Sequence, residues 1–321
     1  MNALLPEIRG VIFSRDRAMQ LDAALTSFFR HCAEAKELPI NVLYAASSPD
    51  FAEQYEVLKK NWRGAARLRF HQEHDFRADL LTTLGVEASR SRRFFHRRSR
   101  ACESVAPYAL FLVDDNIFCR PFSIAAATTA LEARPRAIGF SLRLGRNTTY
   151  CYMRDMRQRV PHFEPIDQRV LAFDWISAEG DFGYPLEVSS SVYRGPQTAR
   201  ILARLSFSNP NTLEVHFANS AMRYWAQRLP ELLCFEQSVT FCNAVNKVQT
   251  VYDNRAGGEV ELSAHELARR FDSGLRIDTG AFAGFTPNAC HCDVPFSFVP
   301  AAANAAPGAD PGCLCDSDAP A

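Results

Sequence analysis

Short apolar runs alternate with amphipathic stretches through the first 150 residues. Gly10-Val-Ile-Phe13 is apolar and β-branched, and Ser14-Arg-Asp-Arg17 breaks the run. Ala18, Leu21, Leu25, Phe28 and Cys32 then recur at intervals of three and four, the stripe of a helix lying on a sheet. The pattern repeats. Ile40–Ala46 reads as a strand and Ser47-Ser-Pro-Asp50 as a turn with a helix N-cap. Phe51, Tyr55, Leu58 and Trp62 form the stripe of the following helix. Arg67–His71 predicts a short third strand. Leu80, Leu81, Leu84 and Ala88 mark another helix before Tyr108-Ala-Leu-Phe-Leu-Val113, the most buried-looking strand, which stops abruptly at Asp114-Asp-Asn116.

The second half is less regular. Ile138–Leu142 and Val170–Trp175 read as strands, separated by the polar loop Arg143–Thr149. Glu179–Pro185 is rich in glycine and aromatics, Pro196–Leu205 predicts a helix, and Asn209-Pro-Asn-Thr-Leu-Glu214 a loop opening a further helix. Ser263-Ala-His-Glu266 is a capping box whose helix ends at Gly274. From Pro300 the chain is Ala, Pro, Gly and Asp without apolar periodicity, which predicts a disordered tail over 300–321 behind a single domain spanning 1–299. Strands alternating with helices imply an α/β, Rossmann-like domain with a mostly parallel central sheet. Ligands of such sheets sit beyond the carboxyl ends of the strands, and both Ser14–Arg17 and Asp114–Asn116 fall at that edge.

Composition narrows the class. The 321 residues are 47% hydrophobic and 22% charged with zero net charge, which excludes collagen, coiled coil and wholesale disorder. No apolar run approaches the ~20 residues of a bilayer helix. Pro6 and Glu7 stand where a signal peptide needs apolar residues, so the expected location is cytoplasmic. The neutral total conceals a basic first third, with 17 Lys+Arg against 12 Asp+Glu in residues 1–100. Arginine supplies 32 of the 36 basic residues, which GC-rich codon usage explains without locating a site. Cys32, Cys102, Cys119, Cys151, Cys234 and Cys242 lack motif spacing and read as reduced, buried small hydrophobes.

Two adjacent carboxylates at the end of a core strand repel each other, so they stay solvated or meet a cation. Asp114 and Asp115, with the amide of Asn116, offer oxygen ligands suited to Mg²⁺ or Mn²⁺. A plain Asp/Asn turn capping the next segment is the alternative. With Ser14-Arg-Asp-Arg-Ala-Met-Gln-Leu21 after the first strand and Phe-Leu-Val-Asp-Asp-Asn-Ile-Phe118 after the later one, the chain resembles the GT-A class of glycosyltransferases, close to its family-2-like members. Looser similarity extends through Gly139–Gly145, Gly183–Pro185, Asn209–Glu214 and Asn288–Pro295, over roughly residues 8–299. The class motif is usually Asp-x-Asp, and this chain has Asp-Asp-Asn.

The resemblance implies a nucleotide- and metal-binding half over about 8–150 and an acceptor half over 151–299. Ser14, Arg15, Arg17 and Asp114 would bind a nucleotide-sugar donor, and Asp114, Asp115 and His291 a divalent cation, Mn or Mg. Trp175, Tyr184 and Arg143 would meet a glycan or lipid-linked acceptor. Inverting transfer needs a general base; Glu214 is the first candidate and Asp181 the second, with a structural helix-terminus carboxylate as the alternative for Glu214. A nucleotidyltransferase shares the fold and metal. A non-catalytic scaffold is the different-class reading. It would use the basic run Arg90–Arg100 on an anionic membrane, with nucleic acid the less favoured partner, or a zinc held by Cys290, Cys292, Cys313 and Cys315.

Overall fold

A computed structural model describes residues 7–86, 105–243, 245–246 and 262–304. The strands are β1 (Ile8–Arg15), β2 (Ile40–Ala45), β3 (Leu68–Gln72), β4 (Tyr108–Val113), β5 (Asn116–Phe118), β6 (Ala137–Ser141), β7 (Tyr150–Cys151), β8 (Met156–Arg157), β9 (Glu164–Pro165), β10 (Val170–Asp174), β11 (Ser190–Arg194), β12 (Glu231–Phe235), β13 (Thr240–Asn243), β14 (Leu275–Ile277), β15 (His291–Cys292) and β16 (Phe298–Pro300). The α-helices are α1 (Ala18–His31), α2 (Pro49–Asn61), α3 (Phe76–Thr83), α4 (Ile124–Ala133), α5 (Gly195–Leu202), α6 (Pro210–Ser220) and α7 (Ala264–Asp272).

One nine-stranded sheet runs β3-β2-β1-β4-β11-β6-β12-β10-β9. β3, β2, β1 and β4 are mutually parallel, β12 parallels β6, and β11 and β10 run against their neighbours. The mostly parallel α/β sheet is therefore as expected, and strands from both halves of the chain share it. Alternate residues of the central strands feed opposite faces. Ile8, Ile12, Val42, Leu110 and Leu112 join α1 and α2 in one core. Val11, Phe13, Leu43, Ala109 and Phe111 join α3, α5 and α6 in the other. Burial on both faces explains why these strands read as near-continuous apolar runs.

Local chemistry sets the helix starts. Ser48 caps α2 by accepting from the Phe51 amide, and Pro49 occupies the first turn. α6 has a complete capping box between Asn209 and Thr212. Ser263 accepts from the Glu266 amide as α7 begins, and Gly274 lies past its end at φ 84°.

Three differences from the sequence reading matter. β11 and β12 were not predicted: the Ser-rich start of β11 has no apolar run to signal it. The helix expected over 196–205 is the shorter α5. Order also continues past residue 299. β16 pairs with β14, and the buried Asn304 donates to the Ile277 carbonyl at 2.8 Å and accepts from the Thr279 hydroxyl at 3.3 Å. Residues 305–321, where the tail was expected, lie outside the described residues. Among the described residues, no helix is long and apolar enough to cross a membrane.

Candidate active site

β1 and β4 are parallel neighbours in register, Phe13 beside Val113, so their last residues reach the same sheet edge. The Asp114 amide donates to the Phe13 carbonyl at 3.0 Å, joining the two ends. Asp16 turns the chain there with φ 54°, a left-handed conformation that Asp tolerates better than most residues. Its carboxylate accepts from the Ser47 amide at 2.7 Å rather than capping α1. Arg17 is the N-cap residue of α1 and makes no side-chain cap. Its guanidinium crosses instead to Asp114 Oδ1 at 3.1 Å and Asp115 Oδ2 at 3.5 Å, while Nε donates to Asn246 Oδ1 at 2.8 Å.

The other expected nucleotide residues gather around this ion pair. The Arg15 amide donates to Asp114 Oδ2 at 3.2 Å, while the Arg15 side chain is 59% exposed at the same edge. Ser14 Oγ lies 2.6 Å from the Tyr55 hydroxyl, which also accepts from the Arg17 amide. Burial pushes the Asp114 carboxyl above its ordinary range, Arg17 opposes that shift, and Asp115 adds to it. The cation that the paired carboxylates require is therefore supplied, at least in part, from within the chain.

Asn116 departs from its expected role. Its Oδ1 accepts from the Val113 amide at 2.9 Å and its Nδ2 donates to Cys242 Sγ at 3.4 Å, closing the turn instead of offering a ligand. A second, three-stranded sheet orders β15-β13-β5, so Cys242 is flanked in register by Asn116 and His291. Burial, and then Arg143, drives the His291 imidazole down to about 3, keeping it neutral. Both Asp115 Oδ1 and His291 Nδ1 are buried without a hydrogen-bond partner. Two ligand-type atoms lacking partners near one thiol suit a cation that takes most of its coordination from elsewhere. Mg²⁺ and Mn²⁺ do so when bound through one or two protein groups and substrate phosphates. Among the described residues, no three His, Cys, Asp or Glu side chains form a metal-holding group.

A buried charge cluster lies behind this edge. Arg143, 4% exposed, pairs with Glu187 at 3.5 Å. Glu187 also accepts from the Ser189 and Ser190 amides and the Ser191 hydroxyl, tying down the start of β11. Glu214, in α6, accepts through Oε2 from the Val188 amide at 3.0 Å and Ser189 Oγ at 3.4 Å. Burial raises the Glu214 carboxyl, Arg143 opposes the shift, and Glu187 adds to it. Asp181 is likewise raised by burial and opposed by Arg143, and it accepts from Gln158 Nε2 at 3.4 Å. Cys242 joins the two groups. Burial raises its thiol most, and both Asp115 and Arg143 act on it.

The acceptor set divides. Tyr184 is 36% exposed, beside Asp181 in the chain. Arg143 is interior and neutralises carboxylates rather than facing an acceptor. Trp175 is 0% exposed, packed in the second core with Phe182, and its indole N–H donates to the Leu229 carbonyl at 2.7 Å. It is a core residue and not a sugar platform. Trp175→Phe leaves that carbonyl without its partner and is expected to cost about 1–3 kcal/mol in urea denaturation, with acceptor KM unchanged. A raised KM at unchanged stability would restore the stacking role.

Sequence reasoning missed Tyr55, Glu187, Cys242 and Asn246. Each reaches the site across a long sequence interval, and none sits in a local motif. The run Arg90–Arg100 lies outside the described residues, as do Cys313 and Cys315. Cys290 and Cys292 are buried and directed to the Arg143 and Ala289 carbonyls, and burial pushes both thiols up, Cys292 to about 11.

A first-strand loop bearing Arg17 and an acidic turn thus meet at the carboxyl edge of a mostly parallel α/β sheet, the edge at which such sheets bind ligands. The chain is 24% identical over 272 residues to the bifunctional glycosyltransferase pgtA of Dictyostelium discoideum, a match covering 77% of this chain and 33% of that protein. The chain thus spans about a third of the length of this curated relative. No family model matches. Similar solved structures include S. aureus TarS, at 12% identity and TM-score 0.42, covering 74% of this chain and 36% of that one. TarS 1–349 in complex with UDP aligns at 12% identity and TM-score 0.40, covering 73% and 59%. Mouse xyloside xylosyltransferase 1 aligns at 13% and 0.32, covering 68% and 83%.

Proposed function

We propose that the chain transfers a sugar from a nucleotide-sugar donor to a glycan or lipid-linked acceptor, with a divalent cation at Asp115. The observation that carries this reading is the meeting of Arg17, Asp114 and Asp115 at the carboxyl edge of β1 and β4, in a chain similar to a glycosyltransferase along most of its length. Arg15, exposed at this edge, and the turn after β1 would receive the nucleotide, Arg adding charge for phosphate. Arg17 fixes the two carboxylates in position. Asp115 Oδ1 and His291 Nδ1 would hold the cation, with Asp114 orienting the loop through the Arg15 amide. When bound, such a cation neutralises charge developing on the departing diphosphate.

Glu214 is the proposed general base. One of its oxygens is fixed by Val188 and Ser189, and Oε1 makes no hydrogen bond among the described residues. A base works deprotonated, so kcat/KM should rise with pH through the Glu214 carboxyl, whose range burial has raised. The acid limb is expected above the ordinary carboxylate range. Glu214→Gln should abolish that limb together with transfer; an unchanged profile in the variant moves the role to Asp181.

The reaction class is tested by incubating the protein with nucleotide sugars and Mn²⁺ and following nucleoside diphosphate release. The same protein is offered nucleoside triphosphates. Diphosphate release from one nucleotide sugar supports the reading, and pyrophosphate release from a triphosphate replaces it with a nucleotidyltransferase.

A further inference from the structure

Along α5 and the chain following α6 lies an open groove of about 770 Å³. Arg200, Arg204, Met222, Arg223, Tyr224 and Arg228 line it, and none of its lining residues is acidic. All six are exposed. Among the described residues, Met222 at 58% and Tyr224 at 60% are the most exposed large hydrophobic side chains. They sit on a π-helical turn, Ala221–Trp225, that continues directly from α6. The Arg223 guanidinium lies over the Tyr224 ring at 5.2 Å, and none of the four arginines is in an ion pair among the described residues.

We propose that this face docks on an anionic lipid bilayer. Four arginines without an ion pair among the described residues, and with no carboxylate lining the groove, select a negatively charged partner. A soluble phosphate or diphosphate would use the arginines alone and leave Met222 and Tyr224 in water. An anionic bilayer engages both kinds of group, since apolar and aromatic tips enter the headgroup boundary while arginines meet lipid phosphates. α6 links this face to the candidate site. Glu214 and Met222 are eight residues apart, about 12 Å of helical rise. The docking proposal does not depend on the transfer reaction proposed above, because membrane binding is measured without substrate.

The full chain is mixed with vesicles of phosphatidylcholine alone or with phosphatidylglycerol added, and the bound fraction is read by flotation. Binding is expected to the phosphatidylglycerol vesicles only, weakening at about 0.5 M salt, where screening is strong. Each of Arg204→Gln and Arg223→Gln should reduce partitioning roughly fivefold, the worth of one arginine at an anionic surface. Met222→Ser with Tyr224→Ser should reduce it at high and low salt alike, with an unchanged thermal midpoint. Three results overturn the proposal. They are no binding to phosphatidylglycerol vesicles, binding that all four substitutions leave intact, and binding to single-stranded RNA without binding to vesicles. The second would move the membrane contact to another surface, Arg90–Arg100 included.

Discussion

Arg17→Met is expected to leave the sheet edge folded but to remove about 3–5 kcal/mol of stability, the usual consequence of leaving buried charge without its partner. The Arg17 side chain is 11% exposed and Asp114 and Asp115 are 6% and 15% exposed, so water cannot replace the guanidinium at low cost. Arg17 also holds Asn246, drawing a distant segment onto the start of α1. Equilibrium denaturation reads the loss. A second consequence separates this account from a merely structural one. With Arg17 gone, the two carboxylates become a stronger cation site, so Mn²⁺ should raise the thermal midpoint more in Arg17→Met than in the unaltered protein. Equal shifts in both would mean that a metal ion and Arg17 do not share these carboxylates.

Arg143→Met has a comparable expected effect. It strips the countercharge from Glu187, and it removes the opposition to the raised Glu214 and Asp181 carboxyls. A loss of about 3–5 kcal/mol is expected near neutral pH. The sign with pH follows from linkage. A carboxyl whose folded pKa is raised binds its proton more tightly folded than unfolded, so its ionised form opposes folding. The deficit of Arg143→Met should therefore be largest above the raised carboxyl values and shrink as pH falls through them. Adding Glu187→Gln to Arg143→Met should return part of the stability, because the double variant no longer buries that lone charge. Strict additivity of the two single changes would show that the pair is not coupled.

The legible part of this protein is the part encoded locally. β1, β2 and β4 are buried on both faces and so appear as apolar runs, and α1 and α2 carry regular stripes of three and four. The ends of those strands could be placed at one edge because parallel strands end together. The clusters holding Asp114, Asp115 and Arg17 were thus placed at that edge from pattern, and their binding roles from resemblance, although not the ion pair between them, which joins residues almost a hundred positions apart.

What escaped depends on tertiary partners. Glu187 means nothing in sequence until β11 turns back antiparallel beside β4 and delivers three serines to its carboxylate. Asn246 and Tyr55 reach Arg17 from separate elements. Trp175 failed in the opposite sense, because an aromatic beside a Gly-rich loop reads the same whether it faces a sugar or the core. His291 was placed by resemblance; the side-by-side register with Cys242 comes from a small sheet that no periodicity announces.

The central claim, a metal-assisted donor site at Asp115, is tested most directly by calorimetric titration of nucleoside diphosphates with and without Mn²⁺. The measurement is made on the unaltered protein and on folded Asp115→Ala. One nucleoside diphosphate should bind the unaltered protein only when Mn²⁺ is present, and Asp115→Ala should not bind it. Binding that persists equally in excess EDTA or in Asp115→Ala, or no binding by any nucleoside diphosphate, would contradict the account.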